Sequence, residues 1–213
     1  SFDSRDAWVL HGGKLGGLDV SAYLRVGSTD GARSLIERDA AQPGVTRSPG
    51  PLNLGHNAVA IQHASDCWVR DIRIHNADSG LFLKSSFCSL LDIRFTCSRA
   101  ADETVCTGHH GVYVSGDDNL FSRFDYQTRF IHDISVSLGA GNVFSEGRGV
   151  DLCFDHHKRA PYENLFTRID TGHGTRPWHC GGGWALGKHC AARGTFWNLR
   201  GDRPLPCPPD DFG

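Results

Sequence analysis

Three stretches repeat one pattern and decide the fold: GVYVSGDDNLF at residues 111–121, DISVSLGAGNVF at 133–144 and VDLCFDHHKRAPYENLF at 150–166. In each, a short apolar run is followed by a polar turn, an Asn and two large apolar residues. Self-similarity at roughly 20 to 30 residues is typical of solenoids, in which each repeat stacks on the next. The stretches therefore predict an all-β chain folded as a right-handed parallel β-helix.

The same element recurs more loosely as DCWV at Asp66, CSLL at Cys88 and GTFW at Gly194. Stacking places equivalent residues about 4.8 Å apart, so we expect one polar column and two apolar columns, one of which must face the core. The predicted polar column is Cys67, Ser89, Asn119, Asn142, Asn164 and Thr195. The predicted apolar columns are Trp68, Leu90, Leu120, Val143, Leu165 and Phe196, and Val69, Leu91, Phe121, Phe144, Phe166 and Trp197.

Regularly spaced short strands also occur in β-propellers and β-sandwiches, but short turns and stacked Asn positions argue against both. We expect one domain, with irregular coils and a loop in residues 1–50, regular coils in 51–201 and a Pro-rich tail, 202–213, held by Cys207. The chain contains no Met, which suggests a processed piece of a longer protein.

Composition narrows the class of protein. The charges nearly balance, with 22 Lys plus Arg against 24 Asp plus Glu, so nucleic acid is not an expected partner. No apolar stretch is long enough to enter a membrane as a helix. Eight cysteines without CxxC spacing favour disulfides in a secreted or cell-surface protein over a structural zinc site. The candidate bridges are Cys97–Cys106, Cys180–Cys190 and Cys67–Cys88, with Cys153 as an alternative buried thiol.

Function is expected where the repeat is interrupted. The third stretch inserts about eight extra residues, DHHKRAPY at 155–162, between its strand and its Asn, and insertions of this kind carry function more often than the repeated frame. The insertion concentrates chemically active side chains at one corner of the fold. They are Asp155, His156, His157, Lys158, Arg159 and Tyr162.

Neighbouring repeats add further candidates. Aligning the stretches places Gly111, Asp133 and Asp151 at a similar position, and stacked carboxylates are costly unless a cation or a proton relieves them. Arg129 and Arg148 are plain structural partners, whereas a calcium ion bound with Asp155, or a catalytic carboxylate pair, is the functional alternative. Three histidines lie within a coil or two of the insertion. They are His109, His110 and His132.

The coils, the Asn column and the loop-borne basic residues resemble the pectin-lyase-like superfamily of right-handed β-helix proteins. The resemblance covers roughly residues 52–200 and rests on GHHGVYVSGDDNLF, QTRFIHDISV and GRGVDLCFDHHKRAPYENLFTRIDTGHGTRPW. It implies a secreted, carbohydrate-active protein whose partner is an acidic polysaccharide, and possible cleavage of uronate polymers by β-elimination.

Elimination requires neutralisation of the uronate carboxylate, a base for the C5 proton and an acid for the leaving oxygen. The resemblance suggests calcium on Asp133, Asp151 and Asp155, or direct pairing with Arg129 and Arg168, for the first task. Lys158, Arg159 or His156 would be the base, and Tyr162 or His157 the acid, with His132 nearby. The remaining predicted substrate contacts are Arg176, Trp178 and His110.

Two alternatives stay open, because a fold does not establish a function. A glycoside hydrolase would use Asp133, Asp151 and Asp155 as acid and base. A non-catalytic component of a cell wall, matrix or surface appendage could form part of a larger assembly and bind sugar through Trp178, Trp184 and Tyr162.

Overall fold

The structure, a computed structural model, describes residues 4–15, 18–29, 57–98, 105–187, 189 and 191–212. The described residues are all-β, apart from single-turn 3-10 helices at Trp184–Leu186 and Asp210–Phe212. The strands are β1 (Ser4–Leu15), β2 (Leu18–Thr29), β3 (Asn57–Ser65), β4 (Trp68–His75), β5 (Ser79–Ser86), β6 (Ser89–Thr96), β7 (Cys106–Val114), β8 (Leu120–Ser122), β9 (Asp125–Tyr126), β10 (Arg129–Val136), β11 (Val143–Ser145), β12 (Arg148–Gly149), β13 (Phe154–His156), β14 (Leu165–Asp170) and β15 (Thr195–Arg200).

The strands after β2 form two parallel sheets, and the chain alternates between them. The five-stranded sheet has the order β13-β10-β7-β5-β3, and the eight-stranded sheet contains β4, β6, β8, β9, β11, β12, β14 and β15. Successive passes of the chain pair in parallel register in both sheets. Propellers and sandwiches are built from antiparallel strands, so neither rival fold describes these sheets.

One column of apolar residues from the eight-stranded sheet faces the core. In register it contains Val69, Leu90, Phe121, Phe144, Phe166 and Phe196. The predicted members Leu91 and Trp197 are wrong by one residue, and Trp197 is 70% exposed. The error arises because CSLL aligns with DCWV through its first Cys, not through its Ser.

The polar column is a ladder of buried amides beside this core. Asn119 Nδ2 donates to Asn142 Oδ1 at 2.9 Å, and Asn142 Nδ2 donates to Asn164 Oδ1 at 2.9 Å, which confirms the predicted Asn contacts. The register places Cys88 at the position predicted for Ser89, because Ser89 pairs with Leu120. Thr195 is predicted to lie level with Asn164, but it pairs with Leu165. The ladder satisfies backbone groups at the turns, since Asn side chains also bond main-chain atoms of adjacent repeats.

The outward face of the eight-stranded sheet carries a row of charges, alternating in sign from Arg94 onward, that we call the charge ladder. In register it runs through Arg73, Arg94, Asp125, Arg148, Asp170 and Arg200. Asp125 lies 3.3 Å from Arg94 and 3.1 Å from Arg148, and Asp170 lies 3.3 Å from Arg200. Stacking opposite charges along parallel strands replaces like-charge repulsion with ion pairs.

The N-terminal strands differ from the irregular coils predicted for residues 1–50. β1 and β2 pair antiparallel from Ser4 with Thr29 to Leu15 with Leu18. In the sequence, Gly16 and Gly17 separate the paired leucines, and Gly-Gly is a favoured sequence for a two-residue hairpin turn. Residues 30–56 lie outside the described residues.

The C-terminal tail is held by packing and hydrogen bonds. Trp178 Nε1 donates to the Pro206 carbonyl at 2.8 Å, and the buried Phe212 packs on the rings of His156 and Trp178. Cys207, the predicted anchor, is an exposed thiol.

No disulfide joins any two of the described cysteines. Cys106 Sγ donates to the carbonyl of Phe130 on the next strand, at 3.4 Å, and Cys67 and Cys88 donate to the carbonyls of Ser65 and Ser86. The predicted Cys97–Cys106 and Cys67–Cys88 bridges are therefore not formed. The Cys180–Cys190 bridge stays a prediction, because Cys190 lies outside the described residues.

Candidate functional site

The outward face of the five-stranded sheet collects histidines and one carboxylate. One outward column consists of Phe82, Tyr113, Ser135 and Asp155. Beside it, His132 pairs in register with His110. Side chains alternate across a strand, so Val112 and Ile134, which directly precede Tyr113 and Ser135, fill the core instead. The polar residues at these outward positions form what we call the histidine face. They are Tyr113, Ser135, Asp155, His109, His110, His132, His157 and His179.

Asp155 is the centre of the histidine face. Its side chain is fully buried and accepts hydrogen bonds from His157 Nδ1 at 3.0 Å, Ser135 Oγ at 2.9 Å and the Gly181 amide at 2.8 Å. His132 Nδ1 lies 3.4 Å from Asp155 Oδ2 but has no hydrogen-bond partner of good geometry. One carboxylate thus orients one imidazole through a hydrogen bond and faces a second.

Electrostatics keep Asp155 ionised. Burial alone would raise the pKa of its carboxyl group, but the hydrogen bond from His157, the electrostatic interaction with His132 and the Gly181 amide outweigh burial and lower the pKa to about 2. A carboxylate only accepts hydrogen bonds, so Nδ1 of His157 must carry the proton. In neutral His157 the other ring nitrogen, Nε2, is then an unprotonated acceptor.

The histidines around Asp155 form a stack of neutral rings. His109 and His110 stack at a centroid distance of 4.1 Å, and His110 lies 5.3 Å from His132. Burial, followed by the neighbouring His109 and His132, lowers the pKa of His110 to about 3. Burial lowers the pKa of His132 to about 4, although Asp155 opposes this shift. These rings are therefore uncharged at neutral pH.

A chain of hydrogen bonds links the stack to the carboxylate. Because Ser135 donates to Asp155, its oxygen accepts from His110 Nδ1 at 3.1 Å. Ser135 is fully buried, and the serine stands between the histidine and the carboxylate. The order differs from that of a nucleophilic triad, in which the histidine lies between them. Ser135 therefore positions Asp155 and His110 and is not an exposed nucleophile.

A loop after β14 closes one side of the histidine face. Gly181 comes so close to His132 that a Cβ at residue 181 would lie 2.7 Å from the imidazole ring, and His179 stacks on the same ring at 5.9 Å. Glycine is required here by this close approach. His179 is exposed and His157 is partly exposed, so both are open to a ligand.

Arg176 anchors this loop in a buried ion-pair network. Its Nη2 donates to Asp133 Oδ2 at 2.7 Å, and its Nη1 donates to the carbonyl of Ile131 at 3.0 Å. Asp151 lies 3.4 Å from Arg129 and 3.6 Å from Arg176. Arg129 and Arg176 are thus bound to carboxylates. Arg129 is predicted as a catalyst or uronate partner and Arg176 as a substrate contact, and either role would require breaking these ion pairs.

The two sequence-predicted stacked carboxylates are not in register. Ile134 pairs with Phe154, so Cys153, not Asp151, lies level with Asp133. The misplacement arises because the third repeat is two residues longer before its paired strand than the alignment assumes. Asp133 and Asp151 bond arginines and main-chain amides, whereas Asp155 lies among histidines, so the three do not form one oxygen cluster. Calcium binding stays a prediction.

Residues of the DHHKRAPY insertion go to different places. His156 points into the core, where it is 1% exposed and packs on Phe166, Phe196 and Phe212. Burial lowers its pKa to about 4, so it is a core histidine that cannot reach a substrate as base. The adjacent His157 points to the opposite, outward side because strand residues alternate.

The rest of the insertion turns away from the sheet. Lys158, Arg159 and Ala160 have positive φ values of 57°, 58° and 53°. Lys158 follows His157 and lies near Gly182 of the covering loop, whereas Arg159 is exposed. Tyr162 is 48% exposed and bridges to Ala140 and Ala192, beside the Asn ladder. Of the three predicted site residues Lys158, Arg159 and Tyr162, only Lys158 lies next to the histidine face.

Two predicted substrate contacts have structural partners. Trp178 packs between Phe154 and Phe196 and is part of the core packing rather than an exposed sugar platform. Arg168 pairs with Glu146 on the outward face of the eight-stranded sheet, away from Asp155. His110 is buried in the stack. The side chain of Trp184 lies outside the described residues.

Sequence reasoning misses three members of the histidine face, Tyr113, Ser135 and His179, and Gly181 of the loop that covers it. Tyr113 and Ser135 occupy outward positions of strands whose registers are recoverable only once the repeats are aligned. His179 and Gly181 come from a loop whose path the repeat pattern does not predict. The alternation in GVYV and DISV is the one signal that points outward for Tyr113 and Ser135.

A concave surface lies on the charge ladder, on the other sheet. This groove, of about 460 Å³, is lined by residues that include Arg94, Asp125, Arg148 and Asp170. Its carboxylates are paired with arginines, so none of them is available for proton transfer. The histidine face is chemically the more active of the two surfaces, because it holds an oriented imidazole with an unprotonated nitrogen.

Among the described residues no group of three or more His, Cys, Asp or Glu side chains has an arrangement that could hold a metal ion. The described part of the chain also has no helix long and apolar enough to cross a membrane. No protein-family model, no curated protein and no solved structure matches the chain.

Proposed function

We propose that the chain forms a right-handed parallel β-helix and that its histidine face is an acid–base site that cleaves an acidic, uronate-containing polysaccharide by β-elimination. The fold proposal is supported by parallel register between successive passes of the chain in two sheets, and by the right-handedness of parallel crossover connections. From β3 to β14, the alternating sheet order gives each pass a strand in both sheets, as a β-helical coil needs.

The observation that carries the catalytic proposal is the Asp155–His157 pair. Asp155 fixes the proton of His157 on Nδ1, which leaves Nε2 to accept a proton, and His157 is partly exposed. A carboxylate–imidazole pair of this kind orients a general base and stabilises the imidazolium that forms when the base accepts a proton. Neutral neighbours at His110 and His132 do not add repulsion to that charge.

β-elimination transfers one proton within the substrate. His157 Nε2 takes the proton from C5 of the uronate, the C4–O bond breaks, and a C4–C5 double bond forms. The leaving oxygen receives a proton from an adjacent acid, for which Tyr113 is placed, its ring centroid lying 6.2 Å from that of His157. Lys158, next along the chain, supplies the positive charge for the uronate carboxylate. Transfer of the proton from His157 to the deprotonated Tyr113 then restores both groups, and the products together carry the same atoms as the substrate.

Elimination is favoured over glycoside hydrolysis by the number of carboxylates. A hydrolase needs two carboxyl groups that flank the scissile bond. On the described histidine face, Asp155 is central, whereas Asp133 and Asp151 are bound to Arg176 and Arg129. An imidazole base beside a single carboxylate fits removal of a carbon-bound proton better than it fits that pair.

The test is incubation with polygalacturonate, alginate and glucuronan, followed by ultraviolet absorbance of the unsaturated product. We expect product from at least one polymer and its loss in His157→Asn. His63→Asn is the matched control, because His63 is an exposed histidine on β3 and its positive φ of 54° is tolerated by Asn. New reducing ends without absorbance would instead indicate a hydrolase.

Absence of cleavage of every polymer, combined with binding to one of them, would favour the non-catalytic cell-wall or matrix role. Secretion is part of the proposal and is supported by the eight cysteines. Thiol counting on protein purified from its natural source without reductant tests it, since a secreted protein with the predicted Cys180–Cys190 bridge should show two free thiols fewer than the eight of the reduced chain.

A further inference from the structure

Aromatic and basic side chains extend the histidine face away from Asp155. Phe82 and Tyr113 are consecutive members of the outward column that ends in Ser135 and Asp155. Their ring centroids lie 5.8 Å apart at an interplanar angle of 45°. Both side chains are half-buried, so each ring is fixed by packing and still has an open surface.

Packing explains why the two rings are held outward. Phe82 and Tyr113 both pack on the buried His110, with centroid distances of 6.1 Å and 5.3 Å. Their sequence neighbours Leu81, Leu83, Val112 and Val114 face the core. A large aromatic residue at an outward strand position is not needed for this core, and a half-exposed pair of such rings forms the kind of apolar patch that marks a binding surface.

A cation lies beside the aromatic pair. Lys84 is exposed and, two residues after Phe82, points to the same side of β5. Gln62 pairs with Lys84, so the lysine has a polar neighbour across the strand and no ion pair between them. Aromatic rings that bind the apolar face of a sugar, next to an ammonium group that binds its carboxylate, are suited to an acidic sugar.

We propose that Phe82, Tyr113 and Lys84 form a binding subsite for one uronate unit, next to the unit that reacts at His157. This subsite rests on the proposed function, which it deepens by placing a second sugar. Successive strands are about 4.8 Å apart, so Tyr113 lies about two strand spacings from Asp155 and Phe82 about three. The bound polymer therefore runs across the strands. The Tyr113 hydroxyl reaches the leaving oxygen as the proposed acid, whereas the Tyr113 ring, Phe82 and Lys84 supply affinity without touching the reacting atoms.

Calorimetric titration with short oligogalacturonates and oligomannuronates tests the subsite. It is carried out on His157→Asn, so that substrate is not consumed. Added Phe82→Leu or Tyr113→Leu is expected to weaken binding about 2- to 12-fold, whereas Tyr113→Phe retains most of the affinity. Lys84→Gln is expected to weaken binding and to reduce its dependence on salt. Thermal melting of each variant checks that the substitution preserves the fold.

Trp197→Leu is the matched control, because Trp197 is an aromatic residue that is 70% exposed on the other sheet. Unchanged affinity in Phe82→Leu and Tyr113→Leu, or equal loss in Trp197→Leu, would overturn the subsite. Turnover that depends on His157 but not on Phe82 would overturn the subsite and leave the proposed function standing. Binding that depends on Phe82 in a protein without turnover would overturn the proposed function and leave the subsite standing.

Discussion

The two outward faces of this protein use the same strand frame in opposite ways. On the charge ladder, arginines and carboxylates alternate and are mostly exposed, as in Arg148, whose side chain is 68% exposed beside Asp125. On the histidine face, Asp155 is fully buried, and its partner His132 is only 7% exposed. The ladder satisfies its charges in contact with water, whereas the histidine face keeps neutral rings and one carboxylate away from it.

This difference separates structure from function. Exposed ion pairs cost little to form and contribute little to the free energy of unfolding. Buried imidazoles that lack full hydrogen bonding, such as those of His109 and His132, destabilise the fold. A protein retains such a cluster where perturbed ionisation is useful, as in a catalytic or binding site. The histidine face therefore has the properties of a site, and the ladder has those of a scaffold.

The largest expected contrast is between two aspartates. Asp155→Asn removes the acceptor that fixes the His157 proton, and we expect turnover on the cleaved polymer to fall about 10²- to 10⁴-fold. Asp125→Asn, on the charge ladder, should leave turnover unchanged. Initial rates of unsaturated-product formation measure both. Equal losses in the two variants would remove the distinction between the faces.

A second contrast compares two arginines. Arg176→Gln leaves Asp133 buried without its cation and is expected to lower the free energy of unfolding by about 3–5 kcal/mol. Arg148→Gln, at an exposed pair, should lower it by at most about 1 kcal/mol. Urea denaturation followed by circular dichroism gives both values. If the two substitutions cost the same, the buried network is not what anchors the loop over Asp155.

Acid should destabilise the protein mainly through its buried histidines. The folded pKa values of His110 and His132 are lowered to about 3 and about 4, below the roughly 6.5 of an unfolded histidine. The unfolded state therefore binds protons first, and stability falls as the pH drops from about 6.5 to 4. Asp155, with its pKa lowered to about 2, adds a further loss between about pH 4 and 2.

The histidine contribution can be isolated by substitution. His132→Asn should make the pH dependence of unfolding free energy shallower between pH 6.5 and 4, by up to about 1.4 kcal/mol per pH unit. His75→Asn, at an exposed position of the other sheet, is the control. A slope that changes equally in both variants would contradict the assignment of acid sensitivity to the histidine face.

The smallest expected effect concerns the charge ladder itself. A double-mutant cycle on Arg94 and Asp125 should give a coupling of about 0.2–1 kcal/mol. In 1 M salt, where the screening length is about 3 Å, the coupling should vanish. A coupling that persists in high salt would mean that the ladder is less exposed to solvent than its arginines indicate.

Much of the frame could be predicted from sequence, because one physical pattern repeats. The Asn119, Asn142 and Asn164 contacts follow from the DNLF, GNVF and ENLF elements, and the alternation in GVYV and DISV identifies the inward residues. The predicted register is wrong by one residue at CSLL and at GTFW, since both lack the Asn that fixes the register of DNLF, GNVF and ENLF.

The site could be predicted only in part. The insertion directs attention to Asp155 and His157, but alternation places His156 in the core. A shared calcium or catalytic role for Asp133 and Asp151 requires the two residues to lie level on neighbouring strands, but Cys153 takes the position level with Asp133. Arg176 and Gly181 reach the face from a loop, and contacts made across about 20 to 45 residues of sequence leave no local pattern to read.

Asp155 holds the proton of His157 on Nδ1 and leaves Nε2 as a base. Nitrogen-15 NMR of the histidine side chains measures this most directly, because the two neutral tautomers have distinct ring-nitrogen shifts. At a pH where His157 is neutral, the Nδ1–H tautomer should dominate in the native protein and lose its dominance in Asp155→Asn. A native His157 that carries its proton on Nε2 would contradict the account.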